Sequence, residues 1–172
     1  IHAGEVEGKE SAQKLLRELA MGQHADWLKS MVFLITPIFN ADGNGPLDVF
    51  QRMTALAKGG LAVNVGGYIG FNSAWQTVNG NADKRPTPAE IEQMRALIAN
   101  GLDQGAWGVS AGLDYKPGYF ARTEEVIKIV DVARPARTNF TNHDRITPES
   151  NYSSKVGVAE TVGIGQKAGL VP

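Results

Sequence analysis

The sequence predicts an α/β fold of parallel βα units, and three observations predict it. From residue 48 onward, helical patterns and short apolar runs alternate: helix, strand, helix, strand, helix, strand, helix and the start of a further strand. The helical stretches carry their apolar residues along one edge. The strand stretches are brief and apolar, and they run into glycines or turn clusters. Alternation of this kind fits either a barrel or an open doubly wound sheet.

Taken in order, Ala12, Leu15, Leu16, Leu19 and Ala20 form a stripe at helical spacing over residues 10–21, and Gly22 offers a stop. MVFLITPIF (31–39) reads as a buried strand and NADGNGP (40–46) as a turn cluster. The next helix has Asp48 available as N-cap, Val49, Met53 and Leu56 as apolar positions, and Gly59–Gly60 at its end. LAVNVGGYIG (61–70) is a strand that runs into glycines. RPTPAEIEQM (85–94) is a strong helix start: Thr87 caps, Pro88 takes the first turn and Glu90 completes a capping box. Ile91, Met94 and Ile98 form the buried edge of that helix.

GAWGVSAGLDY (105–115) is the next strand, followed by a KPG turn at 116–118. Thr123 is the expected cap of a helix bearing Val126, Ile127, Ile129, Val130 and Ala133, which Pro135 should end. RTNFTNHDR (137–145) is a fourth strand of alternating character. Ser153 or Ser154 opens a weaker helix through about Lys167, in which Gly157, Gly163 and Gly165 cost roughly 1 kcal/mol each. AGLVP (168–172) reads as a strand just beginning. The chain opens at Ile1 without a methionine, so it is expected to be processed or a fragment.

Bulk properties narrow the function. Hydrophobic residues make up 42% and charged residues 20%, the balance of an ordinary globular protein. A net charge of -1 argues against a phosphate-neutralising surface, so nucleic acid is not an expected partner. The absence of cysteine excludes disulfides and thiolate metal sites and leaves the compartment undetermined. Apolar runs such as MVFLI (31–35) are too short to span a bilayer, so no membrane partner is expected.

Four short motifs could carry chemistry. His2 and Glu5, spaced His-x-x-Glu on a strand-to-helix turn, can converge on one zinc ion; the alternative is a solvated helix start rich in glutamate. NADGNG (40–45) matches the opening of a calcium loop, but its twelfth position is Gln51, which cannot supply a bidentate carboxylate, so a turn is preferred. GVSAG (108–112) matches Gly-x-Ser-x-Gly, yet LDYKPG follows where a nucleophile elbow needs a helix. Its small residues more readily serve a close approach at a strand end. His143 falls at the C-terminal end of a parallel strand, where barrel enzymes keep their chemistry; the alternative is a structural histidine, with Asp144 and Arg145 as a loop ion pair.

Longer stretches carry two family resemblances. IHAGEVEGKE, the helix SAQKLLREL and VFLITPIFNADGN, covering residues 1 to about 44, resemble zinc carboxypeptidases of the carboxypeptidase A type. That resemblance implies His2 and Glu5 as zinc ligands; the family's remaining catalytic contexts are absent from this sequence. VNVGGYIG, RPTPAEIEQM, GAWGVSAGLDYKPGYFARTEEVIKIV, TNFTNHDR and VAETVGIGQKAGLVP, covering about 47–172, resemble N-acyl-D-amino-acid deacylases of the metal-dependent amidohydrolase superfamily. The most specific part is the Gly-x-Ser-x-Gly-Leu-x-Tyr-x-Pro-Gly stretch at 108–118, which disposes of Ser110 as a nucleophile. This second resemblance implies a catalytic (β/α)8 barrel and His143 as a metal ligand, with Tyr115 and Arg145 as possible substrate contacts. The family's His-x-His, its early cysteine ligand, its next ligand histidine and its catalytic aspartate do not appear, so no catalytic residue is assigned.

The expectation is therefore a partial amidohydrolase barrel at residues 47–172, preceded at 1–46 by a strand-helix-strand piece of a zinc carboxypeptidase, in an incomplete or chimeric chain. The implied activity is hydrolysis of an amide bond by zinc-activated water, on an N-acyl-D-amino acid or a peptide as small-molecule substrate. The alternatives are a zinc carboxypeptidase fragment and a chain with no catalytic activity of its own.

Overall fold

In a computed structural model, which describes residues 14–30, 49–58, 66–146 and 153–172, three parallel strands lie side by side in chain order: β1 (Ile69–Gly70), β2 (Gly108–Gly112) and β3 (Asn139–His143). Ile69 pairs with Val109, and Val109 with Phe140. All three are buried in the core. Side chains alternate along a strand, so Ser110, Thr141 and His143 emerge on the opposite face. The expected strand start at 168–172 is present as a bridge. Val171 sits parallel to Asn139, accepts the Phe140 N–H at 2.7 Å and donates to the Thr138 carbonyl at 3.1 Å. The described strands form a three-stranded parallel sheet. They do not show a closed barrel.

Helices connect the strands. Residues 14–20 are helical (α1), and Gly22 stops the helix at φ 80°, as its position predicts. The helix α2 (Val49–Lys58) reaches the core through Met53. The strand expected at 31–39, the turn cluster at 40–46, the cap Asp48 and the first half, 61–65, of the strand expected at 61–70 lie outside the described residues.

No sequence pattern predicts the helix α3 (Phe71–Asn79), which follows β1 without a loop. Its Phe71, Ala74 and Trp75 are fully buried and Val78 packs beside them, a spacing of three, four and seven. The stripe is hidden among Asn72, Ser73, Gln76, Thr77 and Asn79, residues of mostly indifferent helix propensity, and no side chain caps the start. Packing against β2 supplies what propensity does not.

The helix α4 (Pro88–Asp103) begins as predicted. The Thr87 hydroxyl accepts the Glu90 N–H at 3.2 Å, and the Glu90 carboxylate accepts the Thr87 N–H at 2.7 Å. Met94 and Ile98 are fully buried. For α5 (Thr123–Val130) the cap differs from expectation. The Glu125 carboxylate takes the Arg122 N–H at 2.7 Å, which frees the Thr123 hydroxyl to donate across to Glu160. Nor does Pro135 end this stretch: the chain tightens into a 3-10 helix over Asp131–Ala136 and stops at Arg137, in left-handed conformation at φ 50°.

The helix α6 (Ser154–Ala168) is capped by Ser153, whose hydroxyl accepts the Val156 N–H at 3.3 Å. A Cβ at Gly157 would lie 2.6 Å from the Arg145 carbonyl oxygen. Glycine there is what lets α6 close on the segment after β3, which offsets its poor propensity.

Candidate functional site

His143 is the last residue of β3 and pairs with Gly112, the last residue of β2. It therefore stands at the C-terminal edge of the parallel sheet, where the loops after the strands converge. The Leu113 N–H donates to the His143 carbonyl at 3.2 Å and to the Asn142 Oδ1 at the same distance, which fixes the first loop residue to the neighbouring strand. Tyr115 turns back from that loop and meets the imidazole edge-on, with ring centroids 5.5 Å apart and planes at 87°.

The glycine at the end of GVSAG makes this return possible. A Cβ on Gly112 would fall 2.0 Å from the Tyr115 Cζ and 2.1 Å from its hydroxyl oxygen. The close approach expected at this strand end is thus made by the protein's own tyrosine. Asn72 on α3 holds the same glycine from another side: its Nδ2 donates to the Gly112 carbonyl at 2.9 Å, and its Oδ1 accepts the Gly112 N–H at 3.0 Å. Ser110 lies within β2 and is followed by strand, turn and a short 3-10 helix at Gly118–Phe120, so no nucleophile elbow forms around it.

Below His143 the sheet face is polar. Thr141 and Asn139 lie two and four residues back on β3, and the Asn139 Nδ2 donates to the Tyr68 hydroxyl at 2.9 Å. Among the described residues, the buried Thr141 Oγ1 and Asn139 Oδ1 have no hydrogen-bond partner. Buried polar atoms ordinarily find a partner, so these two leave hydrogen-bonding capacity open on this face.

Asp144 and Arg145 do not pair with one another. Asp144 accepts from the Thr161 hydroxyl and, at 3.3 Å, from the Asn142 Nδ2. Arg145 is buried, and its Nε meets Glu160 on α6 at 3.1 Å; the two side chains are 7% and 5% exposed, which removes this pair from the solvent-screened class. Its Nη1 donates to the Leu113 and Tyr119 carbonyls at 3.1 and 2.8 Å, and its Nη2 to the Ala121 carbonyl. At least four of its donors are committed within the fold. Sequence pattern does not mark Asn72, Asn142, Glu160 and Thr161, because apart from the Asn142–Asp144 contact their partners lie 15 to 40 residues away.

An imidazole at a strand end suits a zinc ion. His143 fits as one ligand, but among the described residues no three His, Cys, Asp or Glu side chains are grouped to hold a metal. His2 and Glu5 lie outside the described residues. No helix among the described residues is long and apolar enough to cross a membrane.

No protein-family model matches the chain. An N-acyl-D-aspartate deacylase of Alcaligenes xylosoxydans xylosoxydans is 37% identical over 99 residues, which is 54% of this chain and 19% of that protein. The chain thus spans about a fifth of the length of that curated relative. Among solved structures, the N-acyl-D-glutamate deacylase of Bordetella bronchiseptica, complexed with zinc and a phosphonate inhibitor, superposes with a TM-score of 0.62 at 30% identity. It covers 72% of this chain and 25% of its own. A D-aminoacylase described as defining a novel subset of amidohydrolases gives the same TM-score at 26% identity, covering 78% of this chain and 30% of its own. No zinc carboxypeptidase is among these, and they lend the carboxypeptidase-like reading of residues 1–44 no support. The proteins and structures this chain resembles are deacylases of N-acylated D-amino acids, with an amidohydrolase fold.

Proposed function

We propose that residues 47–172 form part of the catalytic domain of a metal-dependent hydrolase that removes the acyl group from an N-acyl-D-amino acid. Residues 1–46 are left without a role in this reading. The observation that carries it is the strand-end constellation of His143, Gly112 and Tyr115, set on a parallel sheet in a chain similar to deacylases. His143 would hold a zinc ion as one of its ligands. Bound there, the metal would supply a polarised water and an electrophile for the amide carbonyl. Tyr115 restrains the imidazole by its edge-on contact, and its phenol is the group of this chain proposed to touch an acyl or carboxylate oxygen of the substrate. Arg145 is retained as a candidate substrate contact only through whatever donor its internal bonds leave.

The test uses the natural protein that contains this chain, assayed on N-acetyl-D-aspartate, N-acetyl-D-glutamate and an N-acetylated apolar D-amino acid. His143→Ala is expected to lower kcat/KM by about 100-fold or more and to lower zinc content with it. Turnover and zinc content both unchanged would remove His143 from the site.

A second reading concerns the 172-residue polypeptide by itself. Its described residues offer one strand-end imidazole, His143, and no group of three ligands, whereas a catalytic zinc site takes about three protein ligands. On that ground the isolated chain is expected to bind zinc weakly and to hydrolyse nothing. A tight stoichiometric site in a zinc titration would overturn this.

A further inference from the structure

The loop that carries Tyr115, residues 113–121, is gripped by one guanidinium. Arg145 reaches the carbonyl of Leu113 at the loop's start and those of Tyr119 and Ala121 at its end. The Ile146 N–H adds a tie to the Asp114 carboxylate at 3.1 Å. On its other side Arg145 is held by Glu160, whose Oε1 also receives the Thr123 hydroxyl at 2.6 Å. The chain of contacts therefore runs from α5 and α6 through Glu160 and Arg145 to the loop, and from the loop through Tyr115 to His143.

A buried ion pair is a poor source of net stability, because desolvation offsets most of its attraction. What this one supplies is direction. A planar fork with five donors can hold three carbonyls and a carboxylate at fixed angles, which neither an apolar pair nor a lysine can do. Arg145 also follows His143 by two residues, so one strand end carries both the imidazole and the group that sets the ring against it.

We infer that Arg145 and Glu160 are positioning residues: through the 113–121 loop they hold Tyr115 edge-on to His143 and so fix the imidazole's orientation. Its consequence for turnover rests on the deacylase reading above; the positioning itself does not.

The experiment separates the two. The natural protein, zinc-free and selectively labelled at histidine, is compared by NMR with Arg145→Lys, Arg145→Met and Glu160→Gln. The readout is the ring-current displacement that Tyr115 imposes on the His143 ring protons, with Tyr115→Leu as its zero. Ile98→Val, a buried change in α4, serves as a control for lost stability alone. Arg145→Lys and Glu160→Gln are expected to lose most of the displacement while Ile98→Val keeps it. Should Arg145→Met not fold, the two milder variants still decide. A displacement unchanged in both, or lost equally in Ile98→Val, overturns the inference. In the zinc-loaded protein, Glu160→Gln is expected to lower kcat about tenfold or more, with KM moved by less than about twofold. A wild-type protein that hydrolyses no N-acyl-D-amino acid, yet shows the Arg145-dependent displacement, sinks the deacylase reading and leaves the positioning intact. Turnover of such a substrate with the displacement indifferent to Arg145 and Glu160 does the reverse.

Discussion

The start of α4 and the loop after β2, which Arg145 reaches from beyond the end of β3, solve the same problem, backbone groups left unpaired past the end of an element, in opposite ways. At α4 the solution is local and partly exposed: Thr87 and Glu90, three residues apart, satisfy one another's N–H groups. After β3 the solution is buried and distant: Arg145 collects carbonyls 24 to 32 residues away and is neutralised by Glu160 on another helix. The difference teaches where a charge is costly to disturb. Water stands ready to replace a lost partner at α4, and nothing replaces one at Arg145.

The largest effect is therefore expected at Arg145→Met, which strands the Glu160 carboxylate in the core and leaves three carbonyls without a donor. A loss of about 3–5 kcal/mol is predicted from chemical denaturation; a loss under about 1 kcal/mol, the worth of a surface pair, would erase the contrast between the two regions. Gly112→Ala comes next. The new methyl must displace the Tyr115 ring, at about 1–3 kcal/mol. Combining it with Tyr115→Ala should recover part of that loss, and strict additivity would show that the ring does not lie where Gly112 admits it.

Thr87→Ala is expected to cost about 1 kcal/mol, measured in the same way, and to leave the Tyr115–His143 contact untouched. The smallest effect is electrostatic. The Thr87 backbone N–H, helped by Lys84, holds the Glu90 carboxyl at about 2, below its ordinary 4.5. Because the folded-state value is lowered, the contribution is present above about pH 4.5 and is lost as pH falls toward 2. A melting series across that window should show a wild-type decline that Glu90→Gln lacks; parallel curves would mean that the box does not hold in solution.

The same contrast explains what could be read from sequence. The capping box, the Gly22 stop, the Ser153 cap and the one-sided helices are set by neighbours within a turn or two, and they were legible. The three described strands, their parallel sense and the start of a fourth at Val171 followed from alternation alone. The helix at Phe71–Asn79 was not legible, since its propensity is weak and its stability comes from burying Phe71 and Trp75 in the core. Thr123 looked like a cap and became a donor to Glu160, because Glu125 satisfied the terminus first. At the site, His143 and Tyr115 stood out by motif, but the contacts that hold them did not. Arg145 read as a loop charge or a substrate contact, and only the folded chain shows where its donors go.

One feature of the sheet bears on how the molecule forms. Each strand pairs with the one before it in the chain, from β1 to β2 to β3 and on to Val171. Among the described residues, loop closures stay at a few tens of residues and no strand pairing waits for a remote segment. During synthesis, each emerging βα unit would find its template already made, and register would pass from strand to strand. Arg145, leaving the ribosome two residues after His143, would meet a loop already in place, and Glu160 on the next helix would lock it there.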